Sequence, residues 1–157
     1  MNVKLLTVGK TDIAWVREGL EMYRSRLVHY VPFSVVEIPE LKKAGSLSPE
    51  EIKRREGELI LKSLSPQDTL FLLDEHGAQY RSLEFASWLQ KQMSSGTRTL
   101  VFCVGGAYGF SPEVYGRAVG KISLSRMTFS HQIIRAVFAE QLYRACTILK
   151  GDPYHNE

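Results

Sequence analysis

Residues 69–73 (TLFLL) and Thr99–Val104 (TLVFCV) are runs in which apolar side chains follow one another with no polar residue set between them. A strand with one face in water alternates, because successive side chains point to opposite sides. A strand that does not alternate is covered on both faces, the condition of a parallel sheet enclosed by helices. The rest of the chain supplies those helices. Ile13, Val16, Leu20, Tyr23 and Leu27 recur at spacings of three and four and mark one face of a helix. Before them, residues 3–8 form a short apolar strand ending at Gly9, and after them Phe33–Ile38 reads as a strand stopped by Pro39.

Residues 40–47 read as a loop. Ser48 then caps a helix with Pro49 in its first position and Glu51 completing a capping box. Ser82 is the expected cap of a helix presenting Leu83, Ala86, Leu89 and Met93, and Ser111-Pro112 opens another. Residues 121–125 form a last strand. Ile134, Phe138, Leu142, Ala145 and Leu149 stripe a long helix that ends at Gly151. Such alternation predicts an α/β fold with a mostly parallel sheet, with strand order left open.

A length of 157 residues suits one domain, and 44% apolar with 24% charged residues is the balance of an ordinary globular protein. No stretch approaches the ~18 consecutive apolar residues of a membrane helix. Nor does the start of the chain show a basic segment followed by an apolar one. A cytoplasmic protein without a membrane partner is expected. Cys103 and Cys146 form no C-x-x-C pair and His29, His76, His131 and His155 are scattered, so no metal site is expected. The net charge of +3 permits a polyanionic partner without requiring one. From Arg117 onward six basic residues face three acidic ones, a weak lean toward nucleic acid.

Ligands of open α/β sheets bind beyond the carboxyl ends of strands. Three such ends carry polar or glycine-rich sequence: Asp74-Glu75-His76-Gly77, Gly105-Gly106-Ala107-Tyr108-Gly109, and Leu124-Ser125-Arg126-Met127-Thr128-Phe129. The glycine loop is neither a phosphate loop nor a dinucleotide fingerprint. It is a ligand cradle or a tight strand-to-helix turn. The third segment offers an apolar slot for a flat base, or packs as a strand end. The tail Asp152-Pro153-Tyr154-His155-Asn156-Glu157 ends on a ring that can stack on a base and an imidazole that can move a proton, or is a frayed terminus.

Taken together, Val8-Gly9-Lys10, Leu73 with Gly77, Gly105-Gly106, the run 124–129 with His131, Arg135, the segment 140–145 and the closing Tyr154-His155 resemble one family along the whole chain. It is the ribosomal large-subunit methyltransferase H family, pseudouridine N3-methyltransferases of the SPOUT superfamily. The resemblance implies a single domain over residues 1–157, a C-terminal trefoil knot, a homodimer, and S-adenosylmethionine as cofactor. It further implies cofactor contacts from Leu73, Gly105, Leu124, Ser125, Arg126, Met127, Thr128 and Phe129. The implied substrate is a pseudouridine of large-subunit ribosomal RNA in assembled ribosomes. The chain departs from the family's usual pattern at Ala107-Tyr108 and at Ser130, which stands where many members have proline.

For the reaction, His155 is the candidate proton acceptor and Arg135 the candidate for stabilising charge on the target base or fixing a phosphate. Tyr154, Arg144 and His131 are the expected substrate contacts. Lys4, Lys10, Arg17, Arg126 and Arg144 are candidates for RNA phosphates, or belong to a solvated charged face. The rival expectations are a non-catalytic RNA-binding protein of ribosome assembly, and a SPOUT methyltransferase acting on transfer RNA.

Overall fold

The computed structural model describes residues Met1–Glu157. Five strands, β1 (Asn2–Val8), β2 (Phe33–Ile38), β3 (Thr69–Gln79), β4 (Thr99–Val104) and β5 (Gly120–Ser123), form one sheet in the order β2-β1-β4-β3-β5. Every pairing is parallel. Helices α1 (Ala14–Leu27), α3 (Ser82–Ser94) and α5 (Ile133–Lys150) pack together on one face, and α2 (Pro49–Lys62) and α4 (Pro112–Arg117) cover the other. Connections toward the β2 edge cross the first face and those toward the β5 edge cross the second. All four crossovers therefore share one hand, as the twist of parallel strands requires.

The unalternating strands divide their side chains between two cores. Val3, Leu5, Phe71, Leu73, Leu100, Phe102 and Val104 point to the α1/α3/α5 layer, while Leu6, Val8, Leu70, Leu72, Val101 and Cys103 point to α2 and α4. Within the larger core Phe102 meets Phe138 of α5 at 4.5 Å between ring centroids, and Trp88 of α3 stands edge-on to Phe71 at 4.9 Å.

Local signals work in most places. Ser48 Oγ accepts from Glu51 N at 3.1 Å and Ser111 Oγ from Val114 N at 3.3 Å, so both helices begin where their caps stand. Gly151 closes α5 at φ +80°, a conformation glycine adopts without penalty. Several expectations need correction. The Glu51 carboxylate does not return to Ser48 but pairs with Arg54 at 2.5 Å and Arg55 at 3.0 Å. Ser82 is the first helical residue and not the cap; Glu84 Oε1 accepts from Arg81 N at 2.7 Å instead. Ile13 precedes α1 and is exposed.

The largest correction is β3, which runs to Gln79 instead of ending at Leu73. Its register against β5 slips between Leu73 and Ala78, so Leu73 and Ala78 both face Ile122. Gly77 makes this fit: a Cβ there would fall 2.6 Å from Ile122 N and 2.6 Å from the Lys121 carbonyl carbon. The slip pushes Asp74, Glu75 and His76 out of the ladder, beside the loop that follows β5.

Candidate functional site

One cavity of 580 Å³ opens at the carboxyl ends of β3, β4 and β5, a volume in the range of small-ligand sites. Its walls come from three consecutive strand ends: residues 73–76, the loop 104–110 and the loop 124–131. Ile134 from α5 and Tyr115 from α4 complete it. Of the residues expected to hold a cofactor, Leu73, Gly105, Leu124, Ser125, Met127, Thr128 and Phe129 line this cavity. Arg126 does not; it is exposed and lies outside the cavity wall. His131 lines the cavity, whereas Arg144, Tyr154 and His155 do not.

Each wall has its own fastening. In the glycine loop, Gly109 N donates to Gly106 O at 3.2 Å. Gly105 sits over the Phe110 ring, where a Cβ would be 3.1 Å from the ring edge, so the absent side chain leaves room on the cavity side. In the β5–α5 loop, Ser123 Oγ donates to Ser125 O at 2.8 Å and Met127 N donates to Ser125 Oγ at 3.0 Å. Thr128 donates its hydroxyl to Glu75, a bond that ties the loop to the displaced part of β3. Ser130 Oγ accepts from Ile133 N at 3.1 Å and so holds the start of α5.

Asp74 and Tyr115 brace the rim. The Tyr115 hydroxyl donates to Asp74 Oδ2 at 2.5 Å, and His76 N donates to Oδ1 at 2.8 Å. Burial pushes the Asp74 carboxyl up, but these hydrogen bonds and the charge of Lys121 outweigh it and leave Asp74 below its ordinary range. Burial, then the bond to Asp74, pushes the Tyr115 phenol up to about 12. Tyr115, Phe110 and Ile134 were not expected as wall residues, whereas Tyr108 lies in the glycine loop that was. The one signal is that Tyr115 stands a helical turn beyond the cap Ser111, on the side facing the strand ends.

Arg135 needs correction as a catalytic candidate. Its side chain has no accessible surface, and its guanidinium is spent on the chain itself. Nε donates to His131 O at 2.9 Å, Nη1 to Gly9 O at 3.0 Å and Thr11 Oγ1 at 2.8 Å, and Nη2 to Val8 O at 2.9 Å. Glu37, 3.8 Å away, supplies the counter-charge. Gln132 reinforces the joint, accepting from Asp12 N at 3.0 Å and donating to Lys10 O at 2.9 Å. Together they rivet the start of α5 to the β1–α1 turn. This aims the cavity loop but cannot touch a substrate.

The tail is ordered against α5. Tyr30 donates to Asp152 at 2.5 Å, Tyr154 donates to Glu140 at 3.0 Å, and the Arg144 guanidinium lies 4.8 Å from the Tyr154 ring centroid. Burial, then hydrogen bonds to Tyr23 and Glu140, raises the Tyr154 phenol far above its usual range. Arg144 bridges Glu140 at 2.6 Å and His155 Nδ1 at 3.0 Å. Arg144, Tyr154 and His155 thus form their own cluster apart from the cavity of the same chain, whereas His131, also expected to touch substrate, lines that cavity.

Comparison with known proteins adds the family. Residues 1–155 match the family described as "Predicted SPOUT methyltransferase". The chain is 51% identical to a ribosomal RNA large subunit methyltransferase H of Parabacteroides distasonis, with 100% of each chain covered. It is 52% identical to the protein of that name from Porphyromonas gingivalis and 50% identical to that from Flavobacterium psychrophilum, again with 100% of each covered. A match along nearly the entire length, on a parallel sheet with its cavity at the last three strand ends, shows that this chain belongs to the SPOUT methyltransferase family.

Proposed function

We propose that this chain transfers a methyl group from S-adenosylmethionine to N3 of a pseudouridine in large-subunit ribosomal RNA, on assembled ribosomes in the cytoplasm and as a homodimer. The observation that carries this reading is the cavity, which gathers from three separate strand ends every residue expected to hold the methyl donor except Arg126. The names of the full-length relatives support the RNA target.

When bound, the donor supplies a sulfonium methyl that is already electrophilic, so the chain's residues have to bind, orient and exclude water. Leu73, Leu124, Met127 and Phe129 offer apolar walls to a flat base, and the bare backbone at Gly105 admits close approach. Glu75 and Asp74 are the carboxylates of a wall that holds no Lys or Arg, which suits a cationic ligand in a chain of net charge +3. His155 is the group that accepts the N3 proton, and Arg144 and Tyr154 hold the RNA. Because these three stand outside the cavity of their own chain, a second copy delivers its tail to the pocket. We infer a C-terminal trefoil knot as well: the loop 124–131 lies against the loop 104–110 in one cavity, and α5 leaves it between α1 and α3.

The test is transfer of labelled methyl from S-adenosylmethionine to ribosomes that lack this modification, with the labelled nucleotide mapped. Label at N3 of a large-subunit pseudouridine is the expected result. Label on transfer RNA alone would replace the substrate. Absence of donor binding would leave a non-catalytic RNA-binding protein.

A further inference from the structure

Glu56 lies on α2, in the helix layer opposite α5, and reaches the glycine loop from behind the cavity. Its Oε1 is buried and has no hydrogen-bond partner. The carboxylate packs on Gly106: a Cβ at that position would fall 2.6 Å from Oε1 and 2.7 Å from Oε2. The next residue, Gly57, presses the same helix onto α4, where a Cβ would fall 2.4 Å from Ser111 Oγ and 3.2 Å from Val114 Cγ2. Two successive residues of α2 therefore bear on the segment that leads from the glycine loop into α4.

The loop itself holds the complement of that carboxylate. Gly106 and Gly109 form an antiparallel bridge in which Gly109 N donates to Gly106 O, but the N–H groups of Gly105, Ala107 and Tyr108 have no acceptor within the protein. A buried acceptor without a donor is unfavourable, and the loop beside it carries donors that no protein group accepts. Burial, together with the charge of Glu40, also raises the Glu56 carboxyl above its ordinary range, as expected of a carboxylate lacking donors. The loop can satisfy both by a small turn of its peptide planes toward α2, because Gly105 and Gly106 lack side chains to resist it.

We propose that Glu56 is a positioning residue for the donor pocket: seating of the methyl donor turns loop N–H groups onto the Glu56 carboxylate, which fixes the glycine wall from behind. This rests on S-adenosylmethionine as the ligand of the cavity. Glu56 touches neither donor nor RNA and acts through the loop.

Calorimetric titration with S-adenosylmethionine, paired with amide hydrogen exchange over residues 105–110, tests it. In the unaltered protein the donor slows exchange of the Ala107 and Tyr108 amides. Glu56→Leu keeps the volume but has no acceptor; it binds the donor about tenfold more weakly, the worth of one good hydrogen bond, and loses that slowing. Glu56→Gln keeps an acceptor oxygen and stays within about threefold of the unaltered protein. Leu binding as tightly as Glu overturns the proposal, and so does Gln failing as badly as Leu. Should Glu56→Leu not fold, exchange in the unaltered protein decides: donor binding without slower amides refutes the proposal. Failure of the unaltered protein to bind S-adenosylmethionine is a separate result, and removes the cofactor reading together with this one.

Discussion

Arg144 donates from Nη1 to Nδ1 of His155 at 3.0 Å, and this bond fixes the tautomer of the imidazole. A guanidinium has only donors, so Nδ1 is the acceptor and the ring proton sits on Nε2, which donates to Glu157 at 3.0 Å. Both ring nitrogens are engaged, and neither is free to take a proton from a substrate. Releasing Nδ1 requires Arg144 to move, and a phosphate is the partner best shaped to draw a guanidinium away. Under the proposed function, RNA binding would therefore be coupled to exposure of the base through one residue.

That coupling sets the first prediction. His155→Ala lowers kcat about a hundredfold, the lower range for loss of a general base, and leaves donor affinity within about twofold. Arg144→Lys lowers kcat as well, because an ammonium cannot serve Glu140 and His155 in one plane, and it also raises KM for the ribosome. Steady-state methylation and calorimetry with the donor separate these effects. A loss of donor affinity equal to the loss of turnover would dismiss the proton-transfer role of His155.

Arg135→Met gives a different outcome. It removes four hydrogen bonds from a buried joint, among them those to the carbonyls of Val8, Gly9 and His131, of which only Gly9 keeps another side-chain donor, the Thr7 hydroxyl. Breaking such a buried charged hub costs about 3–5 kcal/mol. At roughly 2–4 °C per kcal/mol for a chain of this size, Tm falls by about 10 °C. Thermal unfolding followed by circular dichroism checks this. Donor affinity and turnover of the folded molecules fall together as the cavity loop loosens, whereas a catalytic Arg135 would give unchanged Tm with lost turnover.

The contrast between Arg135 and Ser111 shows what was legible in the sequence. Caps, helix stripes and unalternating strands are local signals, and Ser48, Ser111 and Gly151 act where they were expected to. Leu73, Gly105 and the loop after β5 were legible as strand ends and, through family likeness, as one pocket. Long-range partners were not legible. Nothing near Arg135 in sequence says that its acceptors lie on the β1–α1 turn, more than a hundred residues away. The extension of β3 was hidden for a similar reason: Asp74-Glu75-His76-Gly77 looks like a turn, and only Ile122 on the neighbouring strand reveals why the glycine is there.

Gly77 and Gly109 separate two reasons for a glycine. At Gly77 the obstacle to a side chain is backbone, which cannot rotate away, so Gly77→Ala forces β3 and β5 apart and costs more than about 2 kcal/mol. At Gly109 there is open space but φ is +84°, so Gly109→Ala costs about 1 kcal/mol of backbone strain. Urea unfolding of the two variants gives the comparison. Equal midpoints would mean that the β3–β5 contact yields easily.

Tyr115→Phe removes the hydroxyl that Asp74 accepts, and its effect has a defined pH window. Asp74 has a lowered folded-state pKa, so its contribution is present above the unfolded value of about 4 and is lost as pH falls through the folded value. Tyr115 has a raised pKa, so its contribution is present below the unfolded value of about 10 and is lost as pH rises through about 12. The pair is largely open to solvent, which limits its worth to under about 1 kcal/mol. The difference in urea midpoint between the unaltered protein and Tyr115→Phe is therefore small and flat between about pH 5 and 9, and it shrinks on both sides. A difference that grows on acidification would show that Asp74 holds its proton in the folded chain, and that the carboxyl and not the phenol is the donor of the bond.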